Sequence, residues 1–570
     1  MATVVESLAS YATDERIITL IAKERGKCAA KCKKPARKLD DSGTLFGQVR
    51  AITPPRKEWI HPGRGKLPKK GEKGLAKWTS DKKRATARVL ASIKSAKEKN
   101  SEAEWLQRMN LFIGEIQSTI SGESPMEIET PKILHKFKKS VTENGPFIYR
   151  PLCMYSDLKT KIILSLASGW LLSIGDKYFG RHMFFMRTAS RQQDGQWKVP
   201  NFLDAIDKIS DYRYKHSDEN IFVGECDIQK FYDIFNHDDI TKCFEELFDE
   251  IRMDSGAEDT VFDPFRRVLE SYLGSYSFPT QVLVKNSDPD FWKSEKDMRR
   301  SKKCPEPECL FSWVDEEDFI SSGCYTPEEF DKAKAEGKIG IPQGGALSGV
   351  IVNVVMHSID KHILGRKDDN RLFLRYCDDI ILMNTDKAGC MEDLLTYKDQ
   401  LTLHRLLYHP FKEVSDLKRG RRNRGSFWEA KSKEPYLWGK GEGDASNWVA
   451  FLGYELHRRG DIRVRKDKTD QELRKIKRTY YSAIKSKPEN RTEENFVKKF
   501  GEVADHLLDY EKITMSKFTL SQAKRLDKHL IWNAKKAARE IGLPSSVIEK
   551  VKTYSDIVKG NTGQKGEGTP

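Results

Sequence analysis

The sequence predicts an α+β chain, with a split βαβ layer across residues 221–465 and a mainly helical region after it. Three observations predict this. Strand-like apolar runs recur in one half of the chain: IFVGECDI (221–228), RLFLRYCDDIILMN (371–384) and VAFLGYELHRRGDIRVR (449–465). Segments of helical period lie between them, so the order reads strand–helix–helix–hairpin–helix–strand. From about 470 to 555 the pattern is helical, and the last dozen residues read as disordered.

The elements ahead of that layer follow from local pattern. Residues 1–22 read as a short amphipathic helix. From Lys23 to Lys38 eight basic residues face one acidic residue, and from Arg64 to Asn100 thirteen face three, with Trp59 just before and Trp78 within. Basic side chains neutralise phosphates and indoles stack on bases, so both tracts are candidate nucleic-acid contacts. Residues 53–74, rich in Pro, Gly and Lys, predict extended or loop structure, and 82–120 predict helix. Residues 147–188 read as a strand, a long apolar helix and a basic-aromatic segment. The strand at 221 runs into a helix, and a long helix follows to about 276. Residues 285–338 form a charged insert with little periodicity. After the hairpin come a helix (391–408) and a basic loop, KRGRRNR (418–424).

Composition narrows the function classes. The chain has 570 residues, 38% of them hydrophobic, and a formal charge of +15 from 100 Lys+Arg against 85 Asp+Glu. A basic surplus of this kind suits a polyanionic partner. The first residues lack a basic start followed by an apolar run. The longest apolar stretch, 162–174, is too short to span a bilayer. The expectation is a cytoplasmic protein with reduced thiols and no membrane contact. Cys28 and Cys32, and Cys304, Cys309 and Cys324, complete no zinc pattern.

The chemistry concentrates in two places. Asp227 ends the strand IFVGECDI, and Asp378 and Asp379 sit at the polar centre of an apolar hairpin. Adjacent buried carboxylates repel unless a cation lies between them. If the two strands are neighbours, Asp227 converges with Asp378. Carboxylates without His or Cys select hard, oxygen-loving ions, Mg²⁺ or Mn²⁺. Such a set suits phosphoryl transfer with two metals.

RYCDDIIL resembles the YxDD box of reverse transcriptases. ECDIQKFYDIFNH is similar to their first catalytic motif, GIPQGGALSGVIVN to their PQG-x-x-x-S motif with Asn353 beyond it, and FLGYEL (451–456) to the primer-grip strand. IYRPL (148–152) and FMRT (185–188) resemble the finger motifs. The resemblance covers about 150–465 with the motifs in the family's order. It implies a right-hand polymerase: a basic N-terminal extension (1–120), fingers (121–220), an RRM-like palm (221–465, with the insert 285–338), a helical thumb or C-terminal region (466–555) and a tail (556–570). It implies RNA-directed DNA synthesis from dNTPs on an RNA template.

Residue by residue, the resemblance implies that Asp227, Asp378 and Asp379 are catalytic and ligate the metals, with the Ile228 carbonyl as a backbone ligand. Asp378 is the stronger candidate for bridging with Asp227. Arg187, Tyr232, Gln343, Gly344 and Lys412 would meet the nucleotide, with Lys418 competing for the Lys412 role. Arg150, Tyr376, Phe451, Leu452 and Gly453 would meet template or primer. Tyr232 is the implied steric gate against a 2′-hydroxyl. Ser348-Gly349 departs from the Ser-Pro of intron and retron enzymes and from the Ser-Gln of diversity-generating ones. The combination is most similar to the bacterial defence-associated (abortive-infection and unknown-group) enzymes. That similarity implies a partner noncoding RNA and admits a homo-oligomer. A mobile-element enzyme, template-independent or protein-primed synthesis (Tyr480, Tyr481, Tyr510, Tyr554) and a nonenzymatic RNA-binding scaffold remain open alternatives.

Overall fold

The computed structural model describes residues 5–31, 44–61, 77–99, 101–140, 147–191, 197–293, 309–417, 426–441, 443–507 and 517–551. The basic loop 418–424 with Lys418, residues 62–74, Cys32, Cys304, Tyr510, Tyr554 and the tail 556–570 lie outside the described residues.

Helices α1 (Asp14–Lys31), α2 (Lys77–Glu98) and α3 (Glu104–Ser121) come first. Their buried residues recur at helical spacing: Ile17 and Ile21, Val89 and Ile93, then Met109, Ile113, Ile116 and Ile120. α3 stops at Gly122, whose φ of +96° and N–H bond to the Ser118 carbonyl make a left-handed cap. An antiparallel ribbon follows, β1 (Lys132–Ser140) and β2 (Phe147–Met154). The Asp157 carboxylate then caps α4 (Leu158–Gly175) through the Thr160 N–H at 2.6 Å. With the turn to Phe179, α4 makes a 22-residue segment long and apolar enough to cross a membrane by composition. Ile162, Ile163, Leu166 and Leu171 of α4 lie in the protein core, with Trp170 against Phe262 and Phe265.

Next come α5 (Phe202–Lys215), β3 (Phe222–Gln229), α6 (His237–Ser255), α7 (Asp263–Gly274), α8 (Ser348–Leu364), β4 (Arg371–Tyr376), β5 (Asp379–Asn384), α9 (Lys387–Leu403) and β6 (Ser432–Trp438). The central sheet runs Phe411–Lys412, β6, β3, β5, β4. β3 is antiparallel to β5 and to β6, and β5 is antiparallel to β4. β6 was not expected from sequence. Both faces of the sheet are covered, which is why its strands read as apolar runs. Cys226, Ile228, Phe373, Ile380 and Leu382 share one core with Cys390, Leu394 and Tyr397 of α9. Val223, Leu374, Ile381, Met383 and Tyr436 share another with Ala205, Ile206 and Ile209 of α5.

A three-stranded sheet, β7 (Trp448–Phe451), β8 (Tyr454–His457) and β9 (Ile462–Val464), packs into that second core. Helices α10 (Lys466–Ile484), α11 (Glu493–Leu507) and α12 (Lys517–Glu540) enclose a third, with Ile476, Phe496, Phe500, Leu530 and Ala534.

Two expectations are corrected. The N-terminal helices are not appended, since Leu8, Ile17 and Ile113 belong to the same core as Phe244 and Val354. The insert is not featureless where it is described. Cys309–Leu310 adds a parallel strand to β2, and helices Glu316–Ile320 and Pro327–Ala335 follow. Rings fill its interior, with Trp292 and Phe311 centroids 5.0 Å apart and Trp313 and Phe319 4.5 Å apart.

Candidate active site

Asp227 and Asp379 are direct cross-strand partners in the β3–β5 register. Strand side chains alternate between faces. Asp227 therefore shares its face with Val223, and Asp379 shares it with Ile381 and Met383. This is the face toward the second core, where the sheet runs out into a cavity. That cavity, of about 920 Å³, is lined by Asp227, Asp379 and Tyr376, by Phe451, Leu452 and Gly453, and by Lys431 and Arg465. Five residues implied for metal, template or primer therefore meet Asp379 at one opening.

Asp378 is held by the turn. Tyr376 pairs with Asp379, which leaves Cys377 and Asp378 as a two-residue hairpin loop. Such loops need a positive φ, and Cys377 has φ +60°. That conformation costs a side-chain-bearing residue about 1–2 kcal/mol. Cys377, to which the sequence assigns no role, is thus the residue that aims the turn. Its thiol is buried and lies 3.9 Å from the Tyr232 hydroxyl. Asp379, two residues on, lines the cavity.

The acids are crowded. Burial, then the Asp227 charge, raises Asp378 above the usual carboxylate range. Burial, then the charges of Asp378 and Asp227, pushes Asp379 up to about 7. The cation nearest Asp227 is Lys431, whose ammonium donates to Oδ2 and is more than half exposed. His409 Nε2 lies 3.8 Å from the same oxygen. Among the described residues no three His, Cys, Asp or Glu side chains close round a single point. The donor set is all carboxylate and under-neutralised, and it fits a hard divalent cation.

The other implied residues fall elsewhere. The Ile228 side chain lies in the core, so only its backbone can face the site. Gln343 and Gly344 lie on the loop before α8, where the Gln343 carbonyl accepts the Cys153 N–H at 2.8 Å and Gly344 has φ +100°. A Cβ at Gly349 would sit 3.1 Å from Met186 Cγ and 3.4 Å from Phe185 Cε1, so those side chains would have to yield slightly to any larger residue. Asn353 donates to the carbonyls of Phe185 and Met186 at 2.9 and 3.3 Å, tying the finger motif to α8.

Arg187 is a correction. Its guanidinium is spent on Asp176 at 2.8 Å, on the Met183 carbonyl at 2.9 Å and on the Gly180 carbonyl. It clamps the finger segment and has no donors left for a triphosphate. Lys412 is exposed beside Lys433 on the edge strand, and the cation that reaches Asp227 is Lys431 instead. Arg150 is exposed on β2, and its charge is felt by Asp233. Lys431 was missed because it lies just ahead of β6, a strand the sequence reading did not include. β6 carries no simple alternation, because its register shifts between Lys433 and Tyr436, which hold Glu225 at 2.5 and 2.6 Å.

No protein-family model matches the chain, and no curated protein matches it. Among solved structures, it is similar to telomerase from Candida albicans in complex with a TWJ fragment of telomeric RNA, at 12% identity and a TM-score of 0.31, covering 93% of this chain and 86% of that one. It is similar to apo telomerase from Candida tropicalis at 13% identity and a TM-score of 0.30, covering 97% and 86%. Both similarities are weak.

Proposed function

We propose that this chain is an RNA-directed DNA polymerase that adds dNTPs with Mg²⁺ held by Asp227, Asp378, Asp379 and the Ile228 carbonyl. The observation that carries the reading is the register: Asp227 faces Asp379 across adjacent strands, with Asp378 in the turn beside them. Mg²⁺, when bound, neutralises the triphosphate and activates the 3′-hydroxyl. The chain's own residues do the rest. The hairpin tip Leu452–Gly453, with φ of +50° and +88°, presents backbone to a primer end at the cavity that Asp379 lines. Tyr232, beside the turn, supplies a ring against a 2′-hydroxyl. The loop at Gln343 and Gly344 meets the base pair, and Gly344 lets the backbone approach closely. Lys431 holds Asp227 when no metal is present and is free to turn to the pyrophosphate when one is.

Purified protein with Mg²⁺, dNTPs and a primed RNA is expected to make DNA, and Asp378→Ala with Asp379→Ala to abolish it. Undiminished synthesis by that double variant would overturn the reading.

The role we propose for this activity is antiviral defence in a bacterial host, with a dedicated noncoding RNA as template. Its support is the combination of Ser348-Gly349, the insert 285–338 and the basic N-terminal extension. Cells carrying the gene are expected to resist phage, and equal plaque counts with and without it would remove this role.

A further inference from the structure

A second cavity, of about 470 Å³, lies among the N-terminal helices, far along the chain from the carboxylates. Its walls come from α1, the helix Leu45–Ala51, the turn Arg56–Glu58 and the start of α3. Four arginines line it, Arg25, Arg50, Arg56 and Arg108, against one carboxylate, Glu104, which pairs with Arg108. Three rings complete it: Phe46, Trp59 and Trp105.

The walls are fixed. The Trp59 indole N–H donates to the Pro54 carbonyl at 2.9 Å, and the Ile60 N–H donates to Ser92 Oγ of α2 at 2.9 Å. The Arg25 guanidinium, almost wholly buried, lies over Trp59 at 5.2 Å and over Phe46 at 5.9 Å. Arg50 lies over Phe46 at 5.2 Å. Arg50 and Arg56 are exposed, and among the described residues neither pairs with a carboxylate. The chain on either side of the pocket is strongly basic, from Lys23 to Lys38 and from Arg64 to Asn100.

Guanidinium forks match phosphate oxygens, and indole faces match bases. An acidic peptide would use the charge and leave the three rings unused. We propose that this cavity is a nucleotide-binding site, taking one unstacked base against the rings with its phosphate on Arg50 and Arg56. The nucleotide is either part of a single-stranded RNA or a free nucleoside monophosphate.

The test uses full-length protein in EDTA without dNTPs, so its outcome is independent of the polymerase reading. The probe is a short 5′-phosphorylated RNA carrying thiouridine, with AMP as competitor. Ultraviolet cross-links are expected in the peptides holding Phe46–Trp59 or Glu104–Arg108. Arg50→Glu with Arg56→Glu is expected to reduce those cross-links about tenfold or more. The same variant should lower the salt slope of RNA binding by about 0.7–1, for the one phosphate lost. Displacement by AMP would identify the free nucleotide as a ligand, and displacement by unlabelled RNA alone would identify RNA. Should the double variant lose helicity, Arg56→Glu alone gives the same reading with a smaller loss. Cross-links absent from both peptides, or unchanged in the variants, would overturn the site.

Discussion

Two clusters of acid flank the hairpin β4–β5, and they are treated in opposite ways. Behind the hairpin, Asp360 of α8 is fully buried, and Arg375 donates to its Oδ2 through Nε and Nη2 at 2.8 and 2.7 Å. His182 meets the same oxygen at 2.7 Å. Burial pushes Asp360 up, but Arg375 and His182 outweigh it and hold the carboxyl below its usual range. At the tip, among the described residues, Lys431 pairs with Asp227, His409 lies 3.8 Å away and Arg465 acts on Asp379, yet Asp378 and Asp379 are still driven upward. A buried acid that serves the fold is matched from within the chain. The carboxylates at the tip are less fully matched, and that contrast sets them apart from a structural ion pair.

The largest expected effect is on chemistry at the tip. Asp378→Ala with Asp379→Ala should cost DNA synthesis about 4 kcal/mol or more, a thousandfold in rate. Because it removes mutual repulsion, its melting temperature in EDTA should not fall. A large fall would place these acids with Asp360, as parts of the fold.

Behind the hairpin the expectation reverses. Arg375→Met leaves Asp360 buried beside His182 alone, and breaking such a pair costs about 3–5 kcal/mol. Thermal unfolding should show that loss, and Arg375→Met with Asp360→Leu should recover much of it. Equal stability of the single variant and the native chain would mean that the pair is not what matches the acid.

Tyr232→Ala tests the ring that meets the Cys377 thiol of the turn. Incorporation of ribonucleotides relative to deoxynucleotides should rise by about 1–3 kcal/mol, tenfold or more. Unchanged discrimination would remove the gate role and leave Tyr232 as a packing residue against Phe231 and Cys377.

The same contrast explains what could be read from sequence. The carboxylates were legible because each ends or interrupts an apolar strand, but that Asp227 meets the hairpin depends on the β3–β5 pairing, which only the fold shows. The hairpin tip Leu452–Gly453 was legible from its flanking apolar residues. Arg375 was not, since one charge inside RLFLRY looks like an exposed alternate residue until Asp360 is brought from the preceding helix. The insert misled because its charges outnumber its rings in sequence, while in space Phe291, Trp292, Phe311, Trp313 and Phe319 meet across long separations. Arg187 misled in the opposite sense: its position suits a phosphate contact, and only the fold shows Asp176 folded back onto it. Cys377 carried no side-chain signal, because its contribution is a backbone angle.

Asp233 stands between the two kinds of acid, and its effect appears only as a dependence on pH. It is buried just beyond Tyr232, and burial pushes it up to about 7 against the pull of the Ser312 hydroxyl and the charges of Lys138, Lys230 and Arg150. Its folded pKa thus lies above its unfolded value, so the folded state binds the extra proton. Its contribution is fully present below about pH 4 and is lost as pH rises to about 7. Asp233→Asn keeps the shape and cannot ionise. Its stability relative to the native chain should rise between about pH 4 and pH 7, by up to about 4 kcal/mol, and level off above. Chemical denaturation across that range checks the sign. A difference that stays flat, or that falls as pH rises, would mean that Lys230 and its neighbours neutralise Asp233 as fully as Arg375 neutralises Asp360.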